Sequence, residues 1–195
     1  MHGLDQALER ESLSGVVLVE GVSDQGAVEA LAACYGRDLD AEGIAVVAMG
    51  GAQAIGRFLA QFGPGGLDVR LAGLCDAGEE RQYRRALERA GLGANLTRAD
   101  LEQLGFYVCN ADLEDELIRA VGAERVLQVV EAEGDLRAFR TLQGEPAWRG
   151  RPVEAQLHRF MGSGGSRKTR YPPLLVRVLD PSEIPRPLQR LLAHV

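Results

Sequence analysis

Three short apolar runs, each closed by an acid or a glycine pair and each followed by a helical stretch, constrain this chain most. Gly15-Val16-Val17-Leu18-Val19 ends at Glu20, Ile44 to Met49 ends at Gly50-Gly51, and Val69 to Cys75 ends at Asp76. Runs without polar alternation read as strands buried on both faces. A fourth short strand is expected at Phe106-Tyr107-Val108-Cys109, with Asp112 just beyond it. Between the strands, Asp24 to Tyr35, Ala52 to Phe62 and Glu79 to Ala90 carry helical patterns, and Gly63-Pro64-Gly65-Gly66 marks a turn. Strands alternating with helices predict an α/β fold: a parallel, Rossmann-like sheet of about four strands, flanked by helices.

The organisation follows. Residues 1–14 read as a polar lead-in, 15–122 as the α/β core, and 123–195 as a helical C-terminal extension carrying a basic loop. In that extension, helices are expected over Glu124–Glu133, Leu136–Leu142, Val153–Met161, Pro172–Leu179 and Ile184–Ala193. Gly162-Ser163-Gly164-Gly165-Ser166 reads as a flexible loop immediately before Arg167-Lys168-Thr169-Arg170.

Charge narrows the function. The 195 residues hold 22 basic and 28 acidic side chains, net −6, and Lys168 is the only lysine. Residues 137–170 hold eight basic and two acidic residues, a local +6 on an acidic body. A general basic coat for nucleic acid is excluded, so any phosphate contact has to come from a local patch or through metal ions. Three dispersed cysteines (Cys34, Cys75, Cys109) and three histidines (His2, His158, His194) offer no zinc spacing and no disulfide framework. They favour a reducing, cytoplasmic setting. Neither a secretory signal nor an apolar run approaching ~18 residues is present, so no membrane association is expected.

Open parallel sheets bind ligands outside the carboxyl ends of their strands. Glu20, Asp76, and Asp112 with Glu114 occupy or follow such ends, with Asp24, Glu79 and Glu80 close by in sequence. Each has a plain structural reading as a strand end or helix cap. Together they form a rim of hard oxygen donors with no His or Cys among them, which suits one or two Mg²⁺ or Mn²⁺ ions. Two such ions stabilise the attacking and leaving oxygens of a phosphodiester.

The motifs also resemble a family. Val17-Leu18-Val19-Glu20-Gly21-Val22-Ser23-Asp24 resembles the opening motif of Toprim domains, and Met49-Gly50-Gly51 after the second strand fits that fold. Leu74-Cys75-Asp76-Ala77-Gly78-Glu79 stands where Toprim proteins carry an Asp-x-Asp pair. Asp112-Leu113-Glu114-Asp115-Glu116 and the late Gly/Ser segment with Lys168 resemble the Toprim portion of the OLD (overcoming lysogenisation defect) nucleases. No Walker-A motif occurs, so the expectation is a stand-alone Toprim domain of this type.

The resemblance implies metal-dependent cleavage of phosphodiesters, with DNA as the expected substrate. Glu20 would be a metal ligand or general acid/base, with Asp24 beside it. Asp76 would hold a first metal, and Glu114 with Asp112 would help hold a second. Lys168 would stabilise charge on the scissile phosphate. Gly78 stands in place of the second aspartate and has no side chain to bind metal, so Glu79 or Glu80 would have to reach in. Arg151, Arg159, Arg167, Lys168 and Arg170 are the expected nucleic-acid contacts. A separate ATPase partner and a homodimer fit the same reading. The alternative expectation is a catalytically degenerate Toprim module that binds nucleic acid or a partner ATPase.

Overall fold

The computed structural model describes residues 13–195; the lead-in expected over residues 1–14 falls almost wholly outside them. Four parallel strands form one sheet: β1 (Gly15–Val19), β2 (Ile44–Ala48), β3 (Arg70–Cys75) and β4 (Phe106–Val108), in the order β2-β1-β3-β4. Leu18 pairs with Val47 on one side and with Gly73 on the other, which fixes the register of the central strands. The chain leaves β1 toward one edge to make β2, then returns past β1 to make β3. The order therefore reverses between β1 and β3, and a crevice opens at their carboxyl ends.

The continuous apolar runs have the burial they predict. Val17 and Val19 of β1 enter one core, while Val16 and Leu18 enter the other. The second core is closed by α2 (Ile55–Phe62), α3 (Glu80–Arg89) and α4 (Arg98–Gln103). The first is closed by α1 (Val22–Cys34), α5 (Leu113–Val121), α6 (Ala123–Ala132), α7 (Leu136–Gly144), α8 (Val153–Gly162), α9 (Gly165–Arg177) and α10 (Arg186–His194). The C-terminal helices thus share a core with the sheet, and α9 lies along α1. Gly73 in β3 allows the close approach of β4: a Cβ there would meet the Phe106 ring at 2.6 Å.

Two details differ from the sequence expectation. Helix α4 was not anticipated, although Thr97 and Asp100 spell a capping box: the Thr97 amide donates to Asp100 Oδ2 at 2.8 Å, and the Asp100 amide donates to Thr97 Oγ1 at 3.3 Å. The expected Gly/Ser loop ends early. Helix α9 begins at Gly165, after Gly164 at φ +92°, so Lys168 stands in its first turns and Pro172 and Pro173 lie inside the helix. Proline usually opens a helix, which is why Pro172 read as a start. Here the preceding turn is instead held by side chains, as described below.

Candidate metal and phosphate site

The crevice between β1 and β3 is a cleft of about 420 Å³ lined by Glu20, Asp24, Asp76, Glu114 and Lys168, with Gly50 and Gly51 on its floor. Each side chain is delivered by a different local device. Glu20 follows the last residue of β1. Its carbonyl accepts from the amides of both Gly50 and Gly51 at 3.0 Å, drawing the β2–α2 connection beneath it. Gly50 (φ +78°) and Gly51 (φ +121°) hold backbone conformations that L side chains rarely adopt, which accounts for the pair. Asp24 sits in the first turn of α1, where its Oδ2 accepts from the Gly21 amide at 2.9 Å. Asp76 leaves β3, Glu114 occupies the first turn of α5, and Lys168 enters from α9.

The electrostatics show how close these acids are. Burial first, and then the charges of Glu114 and Glu20, push Asp24 up to about 6 against the hold of the Gly21 amide. Burial and the neighbouring Asp24, Glu20, Asp112 and Glu114 push Asp76 up to about 7. Glu114 is also raised, chiefly by burial, with Asp112 adding to it and Lys168 opposing. Glu20 Oε2 is buried without a hydrogen-bond partner among the described residues. A buried, unpartnered carboxylate oxygen is costly unless a cation meets it. An all-oxygen donor set with mutual repulsion therefore fits a hard divalent ion. No three His, Cys, Asp or Glu side chains are gathered tightly enough to hold one ion among the described residues. The acids line the cleft rather than closing on a point.

The remaining sequence candidates lie elsewhere. Glu80 is taken by Arg84 and by Arg98, whose Nε donates to it at 3.0 Å, and the Arg98 bond holds its carboxyl below the ordinary value. Glu79 and Gly78 face a neighbouring groove and do not line the cleft. Asp112 is the N-cap of α5. Its Oδ1 accepts from the Asp115 amide at 2.8 Å, and its Oδ2 lies 2.7 Å from His158 Nε2. His158, which formed no ligand spacing in sequence, is raised by that bond. Of the expected nucleic-acid contacts, Lys168 alone lines the cleft. Arg167 and Arg170 pair with Asp135, and Arg170 also with Glu133. Arg151 and Arg159 lie over the Trp148 ring, at 5.7 and 6.0 Å from its centroid. Cys75 and Cys109 are buried core residues, and desolvation pushes both thiols far up.

An acid-lined cleft at the switch point of a parallel sheet, faced by a single lysine, is the layout of a Toprim domain. Residues 14–77 match the model of the TOPRIM domain of overcoming lysogenization defect protein-like proteins, and this segment is similar to that domain. The whole described fold is similar to the C-terminal region of the Xanthomonas campestris pv. campestris OLD protein: 27% identity, TM-score 0.73, covering 94% of this chain and 92% of that one. The C-terminal region of the Burkholderia pseudomallei OLD protein shares the fold at 21% identity and TM-score 0.72, over 93% of this chain and 96% of that one. A curated relative, the DNA-directed RNA polymerase subunit beta' of Acetivibrio thermocellus, is 33% identical over 75 residues. That match spans 35% of this chain and 6% of the polymerase subunit. Among the described residues no helix is long and apolar enough to cross a membrane.

Proposed function

We propose that this chain is a Mg²⁺- or Mn²⁺-dependent nuclease that cleaves phosphodiesters of DNA. The observation that carries the reading is the meeting of Glu20, Asp24, Asp76 and Glu114 with the only lysine of the chain in one cleft. The family match supports a nuclease-type Toprim module.

Glu20 with Asp76 would hold one metal, and Glu114 would help to hold a second. When bound, a divalent ion there supplies Lewis-acid stabilisation of charge on the reacting phosphate oxygens. The chain's own residues do the rest. Asp24, tied to the Gly21 amide, fixes the first turn of α1 and keeps a second carboxylate beside Glu20. Glu20, with one oxygen unpartnered, is placed to orient or deprotonate the attacking water. Lys168 brings a compact positive charge into the cleft near Asp24 and Glu114, where it would offset charge developing on the phosphate or the leaving oxygen. Incubation of the pure protein with supercoiled and linear DNA in Mn²⁺ tests this. Cutting by the parent that is lost in Glu20→Gln and Lys168→Ala is the expected result; no cutting by the parent, or equal cutting by the variants, would sink it.

Gly78 favours a second reading, a Toprim module that binds nucleic acid or a partner ATPase without cutting, because the second aspartate of the family motif is absent. Calorimetric titration with Mn²⁺ separates the two: tight binding abolished by Glu20→Gln supports the nuclease, and no binding supports the silent module.

A further inference from the structure

The acidic cleft has a basic neighbour. On the other side of the turn that follows Asp76, a second cavity of about 410 Å³ runs between α2 and α3, with Gln53, Gly56, Gly78, Arg81, Arg85 and Arg89 in its lining. The two cavities abut in the chain at two points. Gly51 lines the cleft and Gln53 the groove; Asp76 lines the cleft and Gly78 the groove. Glu79 also lines the groove, so the charge turns positive only at Arg81, five residues after Asp76.

Arg81, Arg85 and Arg89 recur every four residues and share one exposed face of α3, while Tyr83, Ala86 and Leu87 fill the core beneath. None of the three arginines makes an ion pair or side-chain hydrogen bond with a described residue, although Arg84 between them is held by Glu80. In a chain with more acids than bases, three unpaired arginines in a row leave three planar donor forks directed at solvent. Such forks match phosphate oxygens two at a time. From Arg81 to Arg89 the helix rises ~12 Å. That length spans three to four phosphates of one strand, at roughly 3.4 Å of duplex axis each. The walls are open where backbone has to come close: a Cβ at Gly56 or at Gly78 would meet nothing within 4 Å.

We propose that this groove holds the phosphodiester backbone of the DNA whose scissile phosphate enters the acidic cleft. The inference rests on the reading of that cleft as a phosphodiester-cutting site. Helices α2 and α3 cover one face of the sheet, and α9 with Lys168 covers the other. A strand lying along α3 and crossing Gly78 reaches Asp76 first and meets Lys168 from the far side. Arg167 and Arg170, the basic residues flanking Lys168, are already engaged by Asp135, so the groove on α3 supplies the free positive charge that they do not.

The test is fluorescence anisotropy of a labelled DNA duplex across a salt series, in EDTA so that nothing is cut. The variants are the triple Arg81→Ala/Arg85→Ala/Arg89→Ala and a control triple of exposed arginines elsewhere, Arg137→Ala/Arg140→Ala/Arg177→Ala. Circular dichroism and melting confirm that both fold. The groove variant is expected to bind at least about tenfold more weakly. Its slope of log affinity against log salt is expected to flatten by about 2.7, three contacts at ~0.9 each, with the control changing by less than one. An unchanged slope, an equal change in the control, or no binding by the parent overturns the proposal. The cleavage assay fails separately: a parent that binds through the groove but never cuts removes the nuclease reading and leaves the groove standing.

Discussion

The hydroxyl of Tyr171 donates to Asp135 Oδ2 at 2.9 Å, three residues beyond Lys168 on the same helix. Arg167 and Arg170 reach the same carboxylate, so side chains on both flanks of the lysine are tied to one acid at the junction of α6 and α7. In the proposed nuclease Asp135 would be a positioning residue for Lys168. Its replacement by alanine should cost about 1.5–3 kcal/mol, as for a lost hydrogen bond to a charged group, measured by urea unfolding. In the proposed nuclease it should also slow turnover more than it raises KM.

The same contact has an acid limit. Burial pushes Asp135 up, but the Tyr171 bond and the arginine charges outweigh it, and its pKa lies below the ordinary value. A depressed folded value means that the stabilisation is fully present above the unfolded pKa of ~3.9 and is lost as pH falls through the lower, folded one. The stability gap between the parent and Asp135→Asn should therefore hold from pH 7 to about 5 and close only below about 4.

For Asp24 and Asp76 the sign is opposite. Their folded values, about 6 and about 7, stand above the unfolded value, so the folded state holds protons that the unfolded state releases. Metal-free protein should lose stability as pH rises from about 4 to 7. A cation in the cleft replaces those protons. Mn²⁺ should therefore raise the melting temperature at pH 8 by several degrees and much less at pH 5, with EDTA reversing the gain. A Mn²⁺ shift of equal size at both pH values would contradict the placement of these acids around the ion.

Gly78→Asp restores the acid missing from the motif. A Cβ at this position has open space, so stability should change by no more than about 0.5 kcal/mol. Because Gly78 faces the α3 groove, the new carboxylate should leave the Mn²⁺-induced shift in melting temperature unchanged and weaken DNA binding beside Arg81.

Gly51→Ala probes the floor of the cleft. At φ +121° an alanine is strained, with an expected cost of about 1–3 kcal/mol. The Gly51 amide also holds the Glu20 carbonyl. Unfolding should show the loss, and Mn²⁺ affinity should fall with it.

The strand–acid pattern was legible because burial on both faces leaves a local trace. Val16 to Val19 are all fully buried, and Glu20 follows them directly. The parallel order then brought Glu20 and Asp76 to one crevice, as their positions after strands implied. What the sequence could not show was who neutralises whom. Glu80 meets Arg98 eighteen residues away, Asp112 meets His158 forty-six away, and Asp135 meets Arg170 thirty-five away. These pairings follow from how α8, α9 and α4 dock, which no local pattern encodes. Helix α4 does carry a local signal, the Thr97-x-x-Asp100 box. In sequence α3 is only a charged surface helix; Glu80 neutralises Arg84 in the fold, and the other three arginines of the helix have no ion pair among the described residues.

Pro172 and Pro173 carry a last consequence. Lacking amide hydrogens, they leave the carbonyls of Lys168 and Thr169 without their partners four residues on, so α9 is missing two consecutive rungs just after the lysine. Beyond them Leu175 and Val176 are locked into the main core. The lysine's turn is thus short of backbone bonds and is held instead by Asp135 and by Tyr171, whose ring is buried in the same core. On warming or in mild denaturant it should exchange its amide hydrogens ahead of the rest of the helix, and the cleft would lose its lysine ammonium while the sheet and the four acids remain assembled.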